Sequence, residues 1–263
     1  MPQKSALKKK LPKSSSPIVY ITGESPLVEE YALVCKLKGY EVITSINASL
    51  SPADGKKKKA VKSAKIPAKT SLALEVTNTD LQEKRNNIQR LDDTLAADAA
   101  ILTSSITVTA TEQAGWIRHR HRLVGFSALP TLSGKPLVEI APTVFSPKET
   151  LDVVLRFFAS LDKEVEIVQD RVGMVLPRIL CQIINEATFA LMEDVASPKD
   201  IDTAMKLGAN YPFGPIEWTE RIGLKHVYAV LTALERDLQE DRYRISPLLR
   251  QMVLGGEWWK HTN

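Results

Sequence analysis

Proton chemistry near neutral pH needs a side chain that titrates there, and the chain carries four histidines that could supply one: His119, His121, His226 and His261. A base must come within ~3 Å of the proton it removes. His119 and His121 stand in the cationic run RHRHR, Arg118 to Arg122, on the approach to a strand. His226 follows a helix break and His261 lies in the last residues. Each reads as solvent-facing first, with His121 left open as a base. A second feature able to do chemistry is the turn at Gly23, directly after the apolar run Ile18 to Ile21. A dinucleotide-binding turn places GxGxxG there, because small residues let the backbone approach a pyrophosphate at the helix N-terminus. Gly23, Ser25 and Val28 occupy the three positions, so only the first glycine is present. Pro26 and Val28 put side chains where close approach is wanted. No acid that could hold a ribose follows the second strand, which ends in Thr44, Ser45, Ile46 and Asn47. Cys35 and Cys181 lie within apolar helical patterns and read as buried thiols, neither disulfide nor metal ligands.

The elements around these residues alternate strand and helix in the first two thirds. After the Gly23 turn, Val28, Tyr31, Ala32, Val34, Cys35 and Leu37 mark a helix, and Tyr40 to Ile43 the next strand, the opening of a parallel α/β sheet. Ser51 to Thr70 is lysine-rich and short for a helical crossover, which predicts a sheet pruned at that point. Ser71 to Thr77 reads as a strand, Leu81 to Leu91 as a helix and Ala100 to Thr107 as a strand. The last third is helical. Ile179, Ile183, Ala187 and Leu191 recur every fourth residue and predict a helix ending near Val195. Ser197, Pro198 and Asp200 then signal a new helix start, and Gly208 a left-handed stop. Further helices are expected at Ile216, Lys225 and Ser246.

The wording of that last third is more specific than its periodicity. INEA (Ile184 to Ala187), ASPKDIDTAMKLGANYPFGP (Ala196 to Pro215) and RYRISPLLRQMV (Arg242 to Val253) closely resemble the C-terminal helical domain of 3-hydroxyacyl-CoA dehydrogenases. EKRNNIQRLDDTL (Glu83 to Leu95) and the triplet Leu137, Val138, Glu139 extend the resemblance more thinly toward the N-terminus. It implies an α/β plus all-α fold: a basic tail over 1–16, a shortened, degenerate Rossmann-like NAD-binding domain over 17–170, and a helical dimerisation domain over 171–263. The implied reaction is NAD-dependent oxidation of a 3-hydroxyacyl-CoA to the 3-ketoacyl-CoA in fatty-acid metabolism, and the implied ligands are NAD and acyl-CoA. Carried over residue by residue, Glu139 matches the glutamate that orients the family's catalytic histidine, and Ser104 the serine that holds the substrate's 3-oxygen. Glu75 and Lys84 match two cleft residues, and Gly23 and Ser25 the cofactor turn. The histidine itself is Ser127, the asparagine beside the strand serine is Leu102, and the asparagine at the head of the central helix is Pro177. A serine has no basicity near pH 7, and a positioned base is worth ~10²- to 10⁴-fold in rate. Two classes of function are therefore expected: a dehydrogenase with weak or no activity, or a non-catalytic acyl-CoA-binding or dimer-partner protein.

Composition agrees with a folded chain of this kind. At 263 residues and 44% hydrophobic it can build real cores. The net charge of +4 comes largely from the lysine-rich segments Lys4 to Lys13 and Lys56 to Lys65. The first is too poor in apolar residues to order itself and reads as a solvated tail, with no nucleic-acid partner expected. Trp258 and Trp259 read as contact residues. No run approaches the ~20 apolar residues of a membrane span, and no apolar signal segment opens the sequence, so a cytoplasmic location is expected.

Overall fold

The computed structural model describes residues 16–47 and 64–255. Most of the basic tail and of the lysine-rich crossover, together with Trp258, Trp259 and His261, lie outside the described residues. The first half alternates: β1 (Ile18–Gly23), α1 (Leu27–Leu37), β2 (Glu41–Ile46), β3 (Thr70–Val76), α2 (Leu81–Thr94), β4 (Ala100–Ser104), α3 (Ala110–Ala114), β5 (Leu123–Phe126), β6 (Leu137–Pro142), α4 (Lys148–Ser160) and β7 (Glu164–Ile167). The second half is α5 (Leu176–Met192), α6 (Pro198–Gly208), α7 (Pro215–Ile222), α8 (Leu224–Leu238) and α9 (Pro247–Gly255).

The strands form one seven-stranded sheet in the order β2-β1-β3-β4-β5-β6-β7. Every pairing is parallel except β5 with β6. The short crossover between β2 and β3 thus leaves no gap, since β1 carries β2 on one side and β3 on the other. The central strands are apolar on both faces because helices cover both. On one face, Leu27, Tyr31 and Cys35 of α1 and Phe157 and Phe158 of α4 pack on Val19, Leu74 and Phe126. On the other, Leu91 of α2 packs on Tyr20, Ala73 and Ile101. Cys35 and Cys181 are buried and unbridged, and burial pushes the Cys35 thiol up to about 12.

In the helical half, Leu180, Cys181 and Ile184 of α5 pack against Val227, Val230, Leu231 and Leu234 of α8. Ile106, Leu129 and Ala141 from the sheet side join the same cluster, so the two halves share a core. The motif residues have local physical duties here. Ser197 Oγ accepts from the Asp200 amide at 3.2 Å and caps α6. Asp202 accepts from the amides of Ile216 and Glu217 at 2.8 and 3.1 Å and caps α7 from outside. Gly214 is required at that contact, because a Cβ there would collide with the Asp202 carboxylate. Asn185 accepts from the Ser246 amide and donates to the Arg244 carbonyl, each at 2.9 Å, fixing the start of α9 on α5.

Two helix ends differ from expectation. Central helix α5 stops at Met192, and Asp194 turns the chain with φ 55°. Gly208 is still helical; Asn210 takes the left-handed conformation instead, with φ 55°. Asparagine and aspartate tolerate that region through local hydrogen bonding, which makes them stops equivalent to glycine.

Candidate functional site

Antiparallel pairing of β5 with β6 sets Ser127 beside Glu139. The Ser127 amide donates to the Glu139 carbonyl at 2.9 Å, and the Glu139 amide donates to Ser127 Oγ at 3.3 Å. The Glu139 side chain is buried and points at the start of α5. Its Oε2 accepts from the Val175 amide at 2.9 Å and its Oε1 from the Leu176 amide at 2.7 Å. Those amides have no intrahelical partner and carry the positive end of the helix dipole, so a carboxylate is well placed there. Pro177 follows without an N–H to offer. Ser104, fully buried at the end of β4, donates through Oγ to Asn78 Oδ1 at 2.6 Å, and Asn78 Nδ2 donates to the Ala128 carbonyl at 2.8 Å. Ser104 is thus tied through Asn78 to Ala128, the residue that follows Ser127.

Ser127 and Glu139 line a small crevice with Tyr31, Phe158 and Leu176. Through Leu132, Leu137 and Leu176 it adjoins an apolar groove of ≈ 410 Å³ continued by Ile179, Ile183 and Trp218, with Lys135 at its edge. Leu137, Leu176 and Ile179 remain 42%, 41% and 54% exposed, enough apolar surface to hold a ligand's chain.

A second cleft, of ≈ 390 Å³, opens at the C-terminal ends of β1, β2 and β3, lined by Glu24, Ser25, Asn47, Thr79, Asp80 and His226 among others. At its floor Gly23 has φ 146°, and a Cβ there would press into the backbone of Val76. Here the glycine serves the close packing of β1 on β3. Ser25 Oγ donates to Glu29 Oε1 at 2.9 Å within the turn. Glu75 and Lys84 form a buried ion pair: Lys84 Nζ donates to Glu75 Oε2 at 2.5 Å and to the Thr77 carbonyl at 2.7 Å, and both side chains are fully buried. Two residues nine positions apart in sequence are thus brought together, and Lys84, carried on a helix, is in the core. The Asn47 amide group donates to Thr77 Oγ1 at 3.0 Å and its oxygen accepts from Asn87 at 3.1 Å.

The histidines divide. His119 is half exposed beside Asp92 at 3.2 Å, and His121 is exposed. Neither contacts Glu139, whose side chain is committed to α5. His226, read from sequence as solvent-facing, is instead 7% exposed, carried into the nucleotide-side cleft by α8. Its Nδ1 lies 3.3 Å from Glu24 Oε1 without an aligned hydrogen bond. Burial pushes its pKa down to about 4, with Lys225 adding to the effect and Glu30 opposing it, so the ring is neutral at pH 7.

Residues 53–171 match the family model of the 3-hydroxyacyl-CoA dehydrogenase NAD binding domain, and residues 173–263 that of the 3-hydroxyacyl-CoA dehydrogenase C-terminal domain. The 3-hydroxybutyryl-CoA dehydrogenase of Clostridioides difficile is 31% identical over 191 residues, covering 73% of this chain and 68% of that one. This chain belongs to the 3-hydroxyacyl-CoA dehydrogenase family. A probable 3-hydroxybutyryl-CoA dehydrogenase of Deinococcus radiodurans is 35% identical over 67% of this chain and 62% of its own, so the matched stretch spans about two thirds of these relatives. Among solved structures, (S)-3-hydroxybutyryl-CoA dehydrogenase PaaH1 from Ralstonia eutropha superposes with a TM-score of 0.73 at 25% identity, over 92% of this chain and 95% of that one.

Sequence reasoning about this family member missed Glu24 and Asn78 and placed His226 in solvent. Glu24 stood at an unconstrained position of the turn motif, and only its charge, next to a glycine where a phosphate would approach, could have marked it. Asn78 carries no local signal, nor does the burial of His226, since their place in the site depends on the path of the chain. Among the described residues no helix is long and apolar enough to cross a membrane, and no cluster of metal-ligating side chains occurs.

Proposed function

We propose that this family member binds an acyl-CoA in the apolar groove beside Ser127 while having weak or no activity in the family's oxidation of 3-hydroxyacyl-CoA with NAD. The observation that carries this is the environment of Ser127. Its Oγ is bonded to a backbone amide, no imidazole among the described residues lines the crevice, and both oxygens of Glu139 are held by α5. Among the described residues the crevice therefore offers no imidazole for the proton of a 3-hydroxyl, where such a base contributes ~10²- to 10⁴-fold. The groove supports the binding half of the reading: Leu176, Ile179 and Ile183 present an apolar wall for an acyl chain, and Lys135 a cation for an anionic tail.

The residues at the nucleotide-side cleft do not fit NAD as they stand. Glu24, Asp80 and Glu83 put carboxylates around the place a pyrophosphate would take, and Lys84 spends its charge on Glu75. The test is paired. Absorbance at 340 nm follows NADH oxidation with acetoacetyl-CoA, and calorimetry follows binding of acetoacetyl-CoA alone. Binding without turnover is the expected result, and turnover at a rate typical of dehydrogenases, ~1–10³ s⁻¹, sinks the proposal.

A second reading, dimerisation through the helical half, is favoured by one observation. Helix α6 buries none of its residues, and Leu207 is 83% exposed, Val195 just before it 69% and Leu254 on α9 84%. Light scattering on the full chain distinguishes monomer from dimer, and Leu207→Lys is expected to shift the balance toward monomer.

A further inference from the structure

We propose that Glu24 is a built-in anion that fills the pyrophosphate position of the nucleotide-side cleft, so that the chain's own carboxylate holds the donors a dinucleotide would need. The inference deepens the reading of lost NAD chemistry and rests on it. Glu24 follows Gly23 at the C-terminal end of β1, where open α/β sheets place their ligands. Its Oε1 accepts from the Asn78 amide at 2.7 Å, and its Oε2 from the Thr79 amide at 3.3 Å and from Thr79 Oγ1 at 2.5 Å. Two successive amides and a hydroxyl converging on two oxygens form the kind of donor set that cradles phosphate. Here they cradle a carboxylate from the neighbouring strand.

Two independent features belong to the same arrangement. His226 closes the cleft from the helical half with Nδ1 3.3 Å from Glu24, 7% exposed and without an aligned partner, so a polar edge points inward at the anion. At the rim, Asp80 is spent capping α2 through the Gln82 and Glu83 amides at 3.0 and 2.9 Å, and Glu83 adds a further negative charge. The turn itself has little to offer a second anion: Pro26 has no N–H, and the Val28 amide is taken by the Glu24 carbonyl at 3.1 Å. With its side chain 14% exposed, this carboxylate depends on its three donors, and a phosphate in the cleft would compete for them.

The experiment compares the full wild-type chain with Glu24→Ala and Glu24→Gln. Calorimetry measures NADH and inorganic pyrophosphate, and ¹H–¹⁵N spectra follow the Asn78 and Thr79 amides. Expected is no NADH binding by wild type, a gain of at least about tenfold in NADH and pyrophosphate affinity for Glu24→Ala, and shifts of the two amide signals on adding pyrophosphate. Glu24→Gln keeps the shape and an acceptor while removing the charge. It secures a folded comparison and is expected to bind pyrophosphate more tightly than wild type, though less tightly than the alanine variant. The proposal is overturned if wild type binds NADH as tightly as Glu24→Ala, or if the folded variants gain no affinity. NADH binding by wild type without turnover overturns this inference and leaves the missing base at Ser127 standing. Brisk turnover by Glu24→Ala supports this inference and overturns the reading of a missing base.

Discussion

Ser127 and Glu139 exchange backbone and side-chain hydrogen bonds across the β5–β6 pairing, while the Glu139 carboxylate turns away to hold the first amides of α5. The glutamate therefore has a structural duty that is independent of any base beside it, which accounts for its presence next to a serine. On the reading proposed above, an imidazole at this point supports the family's oxidation only when Glu24 is also removed. Ser127→His in the wild-type background is expected to leave acetoacetyl-CoA-dependent NADH oxidation at the buffer rate. In a Glu24→Ala background the same change should raise it at least about tenfold, within the range a positioned base supplies. Steady-state rates of the four variants decide this, and activity in Ser127→His alone would contradict it.

The buried Glu75–Lys84 pair makes a prediction about stability. Lys84 Nζ also holds the Thr77 carbonyl, and Glu75 Oε1 accepts from the Thr77 amide at 3.0 Å, so each charge has a second partner. Removing one partner strands the other in the core at about 3–5 kcal/mol, whereas an apolar replacement of both is close to neutral. Lys84→Met is expected to lower the urea unfolding free energy by that amount, and Glu75→Leu with Lys84→Met to recover most of it. Equal losses in the single and double variants would show that the pair is not the source of the effect.

Asn185 predicts how α9 is held. Asn185→Ala orphans the buried Ser246 amide, a lost partner worth about 1–3 kcal/mol, and removes the donor to the part-buried Arg244 carbonyl. A loss of about 1–3 kcal/mol is expected in denaturant unfolding. In hydrogen exchange, protection should fall first in α9 and the segment before it, with β1 and β3 unchanged.

His226 predicts an acid limb. Its folded pKa lies below the ordinary value, so its contribution to stability is present above ~6.5 and is lost as pH falls toward about 4, amounting to about 3 kcal/mol at most. Glu24, which burial raises above the ordinary carboxylate range despite its amide donors, runs the other way: its contribution is present below the ordinary value and is lost as pH rises through the folded one. Between pH 6.5 and 4 the wild-type chain should lose stability less steeply than Glu24→Gln, and His226→Gln should flatten the limb. Denaturant titrations at half-unit pH steps read this directly, and an unchanged limb in His226→Gln would remove His226 as its cause.

The alternating strand and helix pattern, the helical last third and its start signals were all legible because they are local: hydrophobic period, caps and turn residues act within a few positions. The resemblance also lay in short motifs, and the structure gives those motifs local and near-local work, as in Ser197 on α6 and Asp202 with Gly214 on α7. Ser127 beside Glu139, and Ser25 and Val28 in the turn after Gly23, were readable as residue types alone, and the lost base and lost turn glycines are the reading proposed above. Only the tertiary structure decided what the remaining polar residues do. Glu24 meets Asn78 and Thr79 more than fifty positions away, and His226 is carried to Glu24 by a helix of the other half. Lys84 is buried because α2 turns it toward the end of β3. Whether a charged side chain faces water, a partner or a cleft depends on which elements pack beside it, and that is set by long-range burial that no local pattern encodes.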